Sequence, residues 1–218
     1  FISAQNFLAR QEIETGGYMV AALALMEAPA IVVAVALYRV HLHKQSPGGG
    51  KLGLVPLVRE AALGGPIFLL LGSLTAGILS GDEGWETLQP FCEDIFHGVL
   101  VLFLLESGMT ASRRLSELSG AKRNALAVGL IVPLCGATAG ILTARLLGLD
   151  VGDATLLTVL AASASYIAVP ATMRLAVPEA NSGLYLPVSL GITFPFNIAV
   201  GIPLYLGTIR LLWPDTIG

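Results

Sequence analysis

Inside a long apolar stretch from 152 to 203, residues 161–172 read Ala-Ala-Ser-Ala-Ser-Tyr-Ile-Ala-Val-Pro-Ala-Thr. Small residues and the hydroxyls of Ser163, Ser165 and Thr172 flank a point where Pro170 must interrupt a helix. Unpaired backbone groups are expensive in hydrocarbon, so a helix facing lipid does not unwind. A helix broken inside a membrane is tolerated where the freed groups face protein or a wet cavity, which is where transporters hold their solutes. The half-helix after Pro170 would aim free amides and its positive dipole end at the gap, which suits a small anion. The expected substrate-facing set is therefore Ser163, Ser165, Tyr166, Ala168, Val169, Pro170, Ala171 and Thr172. The competing reading is that the serines bond their own i−4 carbonyls or a neighbouring helix. No Arg or Lys lies beside the break, and Arg174 comes one turn later. Backbone dipoles would thus do most of the anion binding.

Two further polar residues interrupt apolar runs. Glu27, in Leu-Met-Glu-Ala-Pro-Ala, is a carboxylate in the middle of an apolar span, where an ionisable group marks a functional site by default. Pro29 frees a carbonyl nearby, so Glu27 is expected to bind a cation. Its alternative role is a structural anchor. Asn197 follows Phe-Pro-Phe and is the second expected cation ligand, with interhelical glue as the alternative. Glu106 lies nearer a helix end, where pairing with Arg113 competes with a pathway role. His41, His43 and His97 sit at helix ends and receive no role. Cys92 and Cys135 form no CxxC or zinc spacing and read as packing residues. No Ser-His-Asp, HExxH or nucleotide motif occurs, so an enzyme is not expected and no cofactor beyond a coupling ion is implied. The Gly-Gly-Gly run at 48–50 lacks the Gly-Lys-Ser/Thr of a phosphate loop and reads as a linker.

These residues need apolar helices to carry them. Hydrophobic residues make up 55% of the 218-residue chain and charged ones 12%, against about 25% charge in soluble domains. A net charge of −3 offers no basic field for nucleic acid. The apolar runs are long enough to cross roughly 30 Å of hydrocarbon. After a helix end at Phe1–Arg10, the expected spans are 18–40, 56–80, 91–110, 124–147, the broken 153–177, and 184–212 with Pro187, Pro195 and Pro203 inside it. The chain opens within an apolar stretch and is expected to continue N-terminally before Phe1.

Loop charges orient the spans. Arg39, Lys44, Lys51 and Arg59 flank one loop, and Arg113, Arg114, Lys122 and Arg123 another. The intervening loop carries Asp82, Glu83, Glu86, Glu93 and Asp94 without a base, and the next carries Asp150 and Asp153. The positive-inside rule makes the first two cytoplasmic and puts the C-terminus outside. A shift of 166 residues lays Gly17 on Gly183 and Pro29 on Pro195, and the two units enter from opposite sides. That is the pattern of an inverted repeat.

Leu25-Met-Glu-Ala-Pro-Ala-Ile, the run from Gly108 to Leu118, and above all the run from Ala162 to Asn181 resemble the sodium-dependent bicarbonate transporter family, best known from cyanobacteria. The resemblance covers the whole chain and points to a divergent branch. It implies an all-α polytopic membrane protein of ten helices in two inverted five-helix repeats. On this reading residues 1–40 end the first repeat, 41–54 form a cytoplasmic loop, and 55–218 are the second repeat with five membrane helices. The resemblance further implies sodium-coupled uptake of bicarbonate or a related small anion at the plasma membrane, a homotrimer, and in some members a PII-like cytoplasmic regulator. Ser163 and Ser165 match the family's serine run, and Glu27 matches a position that is usually acidic. Tyr166 stands where the cyanobacterial form carries Asp, and Ala164 replaces a serine. The alternative from another class is a regulated channel or sensor subunit read out through a cytoplasmic partner.

Overall fold

A computed structural model describes residues 1–45, 65–117, 122–163 and 187–213. Among these every regular element is helical. In chain order they are α1 (Ile2–Ala9), α2 (Tyr18–Gln45), α3 (Gly65–Gln89), a π turn (Pro90–Ile95), α4 (Phe96–Glu117), α5 (Lys122–Leu147) and α6 (Val151–Ala162). The last segment alternates a π turn (Ser189–Thr193), the single turn α7 (Phe194–Phe196), a second π turn (Asn197–Gly201) and α8 (Ile202–Leu212). Among the described residues two stretches are long and apolar enough to cross a membrane: Arg123–Leu147 with 25 residues and Ser189–Leu212 with 24. At about 1.5 Å per residue each exceeds the roughly 30 Å of a hydrocarbon core.

The expected spans and the helices differ in instructive ways. α2 runs on to Gln45, five residues past the expected end, because no Gly or Pro interrupts His41 to Gln45. α4 likewise continues to Glu117 through Arg113 and Arg114. The acidic stretch after Ser80 is helical, not a loop. The chain turns at Gly81, whose φ of 58° lies in the left-handed region that glycine enters freely. α5 ends as its sequence predicts. Gly148, at φ 66°, lets the Leu149 amide reach back to the Ala144 carbonyl and its own amide reach Arg145, which closes a Schellman cap. α1 closes the same way through Glu12 at φ 57°, with the Ile13 amide on the Leu8 carbonyl. Cys92 and Cys135 are both exposed, so neither is a core packing residue.

The described residues fall into two compact units. One contains 21–45 and 65–106. Its helices α3 and α4 hold Leu69, Ile78, Leu79, Val101 and Leu102 outward. Large apolar side chains facing out in such density suit lipid rather than water. The other unit contains 1–20, 107–117, 122–163 and 187–213. At its centre lies α6, with Ala154, Leu156, Val159 and Ala162 buried together with Asp153, Thr155 and Thr158. A helix buried on all sides is a core element. Ala144 of α5, Ala154 of α6 and Ile209 of α8 pack as one cluster, joined by Ile141, Leu157 and Trp213.

α5 and α6 lie unusually close. A Cβ on Gly136 would collide with the Ala161 carbonyl oxygen and come within 3.2 Å of Ala162 Cα. One on Gly140 would lie 2.8 Å from Thr158 Cα. The two glycines are four apart, the small-xxx-small spacing that lets membrane helices touch along their backbones. The end near Leu149 is fastened as well. Arg145 donates to the Leu212 carbonyl and sits 5.0 Å over the Trp213 ring, while Trp213 Nε1 donates to the Leu149 carbonyl at 3.0 Å. A guanidinium at the last turn of α8 also complements the helix dipole.

Candidate functional site: the end of α6

α6 stops within 161–170, the stretch expected to break. Its last helical residue is Ala162, and Ser163 turns extended at φ −82° and ψ 149°. A helix that stops leaves its last carbonyls without helical partners. Here the Ala162 carbonyl accepts from Asn197 Nδ2 at 2.9 Å. Asn197 Oδ1 in turn accepts from the Tyr205 hydroxyl at 2.8 Å. Asn197 and Tyr205 are both buried, at 7% and 2% exposure. Asn197, expected as a cation ligand, thus has both ends of its amide engaged and ties the last segment to the end of α6. One lone pair of Oδ1 is all the amide has left for a cation.

The π turns explain how one helix reaches two neighbours. Pro195 and Pro203 have no amide to give, and each follows a π turn, which widens the helix by a residue. Thr193 and Asn197 both end up buried. Thr193 Oγ1 donates to the Gly129 carbonyl of α5 at 2.9 Å, four residues before Asn197 reaches α6. Gly201 makes room for the pair above it: a Cβ there would come within 2.8 Å of Asn197 Oδ1 and 3.0 Å of the Tyr205 hydroxyl. Among the described residues every buried side-chain nitrogen and oxygen has a partner.

Ser163 is exposed, and its hydroxyl donates to the Val159 carbonyl at 2.6 Å. Thr155 and Thr158 do the same to Val151 and Ala154, each at 2.7 Å. A serine whose proton is so held offers lone pairs outward and no donor. To donate to an anion it must first release Val159. Glu27 is half-buried on α2 in the other unit. Ser165, Tyr166 and the segment from Ala168 to Thr172 lie outside the described residues.

At the opposite end of α6, Asp153 departs from its expected place as a loop charge. It lies in the first turn, 6% exposed. Its carboxylate accepts from the Gly16 amide at 2.7 Å and from the Tyr18 hydroxyl. The turn before α2 is thereby fixed to the start of α6. A side chain at Gly152 would strike the Glu14 carbonyl, so the two backbones touch there.

Tyr205, Thr193 and Asp153 were missed in the sequence. Thr193 stands four residues before Asn197, a visible same-face spacing. Tyr205 stands eight residues after it, which is off-face in a regular α-helix, so only the π turn aligns them. The Gly136/Gly140 pair was missed too, although its small-xxx-small spacing is a signal that could have found it.

No curated protein matches the chain. The profile of the Na+-dependent bicarbonate transporter superfamily matches residues 1–210, nearly the whole chain. With its long apolar helices, this makes the chain a membrane protein of a transporter family. The chain belongs to the Na+-dependent bicarbonate transporter superfamily.

Proposed function

We propose that this protein takes up bicarbonate or a closely related small anion across the plasma membrane, driven by sodium, and that the end of α6 forms one wall of the solute site. The observation that carries the reading is the termination of α6 at Ala162 inside the protein, with its carbonyl end capped by Asn197. α6 has 12 residues, so at about 1.5 Å per residue it spans about 18 Å, slightly more than half of a roughly 30 Å hydrocarbon core. Starting from an outer surface, it would end near the midplane, where carriers of broken-helix design bind their cargo. Its C-terminal end and the outward lone pairs of Ser163 favour a cation there. The anion falls to Ser165 and the amides from Ala168 to Ala171. Glu27 is proposed to bind or balance sodium. Residues 1–40 are taken as the end of one inverted repeat and 55–218 as the second, in a multi-pass chain whose C-terminus faces outward. A homotrimer and a PII-like regulator on the cytoplasmic loops complete the proposal.

Sodium-driven uptake of labelled bicarbonate tests the reading. A carrier saturates and stops when the gradient collapses. Flux that neither saturates nor needs sodium would replace it with the channel or sensor reading. Cysteine labelling from outside tests the orientation: Glu83→Cys and Asp150→Cys should react, and Gly49→Cys and Gly120→Cys should not. Labelling at 49 would overturn it.

A further inference from the structure

We propose that Tyr205 is a positioning residue for transport, acting through Asn197 on the end of α6. The inference rests on the proposed location of the solute site. Tyr205 is the largest fully buried side chain among the described residues, yet it carries a hydroxyl. That hydroxyl reaches Asn197 and not the backbone. Regular α-geometry would leave residues eight apart about 80° out of line. The π turn from Asn197 to Gly201 absorbs one residue, which brings the two to within roughly 20° of one face. Side chains on a helix lean toward its N-terminus, so Tyr205 leans back toward Asn197. Gly201 between them is the residue that leaves the pair room. The Ala162 carbonyl can only accept, so it fixes which end of the Asn197 amide faces it. Tyr205 then holds the other end, and both hydrogen bonds are buried. Ala161 and Ala162 also lie against Gly136 of α5. The end of α6 is thus held both by the α5 backbone and by a two-residue relay. A relay built in this way sets where Ser163 begins and so the geometry of the break.

Tyr205→Phe removes the hydroxyl and keeps the ring, so folding is preserved while the relay is cut. In the full-length protein in vesicles, with labelled bicarbonate and a sodium gradient, the half-saturating bicarbonate concentration should rise roughly threefold to tenfold, the factor expected for one lost hydrogen bond. The maximal rate per folded protein and the assembly state should stay unchanged. In an Asn197→Ala background, Tyr205→Phe should have no further effect, because the relay is already broken. Unchanged half-saturation in Tyr205→Phe, or effects of the two substitutions that simply multiply, would overturn the proposal. A second readout is independent of transport. Amide exchange at residues 160–163 should quicken in Tyr205→Phe while α5 stays protected. If the unmodified protein shows no sodium-driven bicarbonate uptake, the proposed function fails and this exchange measurement decides the relay alone: faster exchange upholds it and unchanged exchange refutes it.

Discussion

In the register of the proposed internal repeat, the middle of α2 and the segment from 189 to 201 correspond: Pro29 lies on Pro195, and Glu27 falls on Thr193. The two regions use the same proline differently. α2 stays α-helical from Tyr18 to Gln45 straight through Pro29. The later segment opens into two π turns around Pro195. Proline at this position therefore does not by itself widen a helix. The later segment has what a π turn can serve, namely two buried carbonyls on neighbours, Gly129 on α5 and Ala162 at the end of α6. α2 places Glu27 half-buried between exposed Met26 and Pro29. One region serves as an attachment, and the other carries the carboxylate for which a sodium role is proposed.

The largest effect is expected where the attachment has no room to yield. Gly136→Leu drives a side chain into the Ala161 carbonyl. Overpacking of this kind costs about 1–3 kcal/mol, and against backbone the upper end applies. Purified Gly136→Leu should lose most of its thermal stability. A variant as stable as the parent would show that the close approach of α5 and α6 is dispensable. Next is Asn197→Ala, which leaves the buried Ala162 carbonyl without its partner at about 1–3 kcal/mol. Thermal unfolding of the detergent-solubilised protein measures it. A neutral result would remove the cap and with it the contrast between the two regions.

Glu27→Gln tests the other half of the comparison. It should leave assembly intact and raise the sodium concentration for half-maximal uptake about tenfold, the value of roughly one charge-assisted contact. Unchanged sodium dependence would make Glu27 an anchor as well, and the two copies would then be alike in role. The smallest effect is expected at Ser163. Its hydroxyl is held by Val159, and such i−4 bonds add little to a helix. Ser163→Ala should change stability by less than about 0.5 kcal/mol and shift bicarbonate half-saturation less than Ser165→Ala does. A larger loss at Ser163 would mean that its proton swings to the anion.

The helical, membrane-embedded character of the chain was legible in composition and in the length of its apolar runs. So was the stretch in which α6 ends, 161–170, because a proline interrupts helical hydrogen bonding, although the end at Ala162 itself was not. The Gly148 cap and the kink at Gly81 follow from backbone freedom, a local property. What sequence could not say was how polar side chains pair across helices. Asn197 could have faced a cation or a neighbour, and the sequence left both readings open. Its pairing with Ala162 joins residues 35 apart, and Asp153 joins Gly16 across 137. Such contacts depend on which helices are adjacent and how far each is rotated. A single π turn changes that rotation by about one residue's worth, roughly 100°. Periodicity alone would set Tyr205 about 80° away from Asn197. The residues themselves determined that this chain is helical and apolar enough for a membrane, and the stretch in which α6 stops. The tertiary structure alone decided which carbonyl Asn197 caps, that Asp153 is buried and not a loop charge, and that Tyr205 stands behind the end of α6, because hydrogen-bond partners far apart in the chain are chosen by packing and not by local propensity.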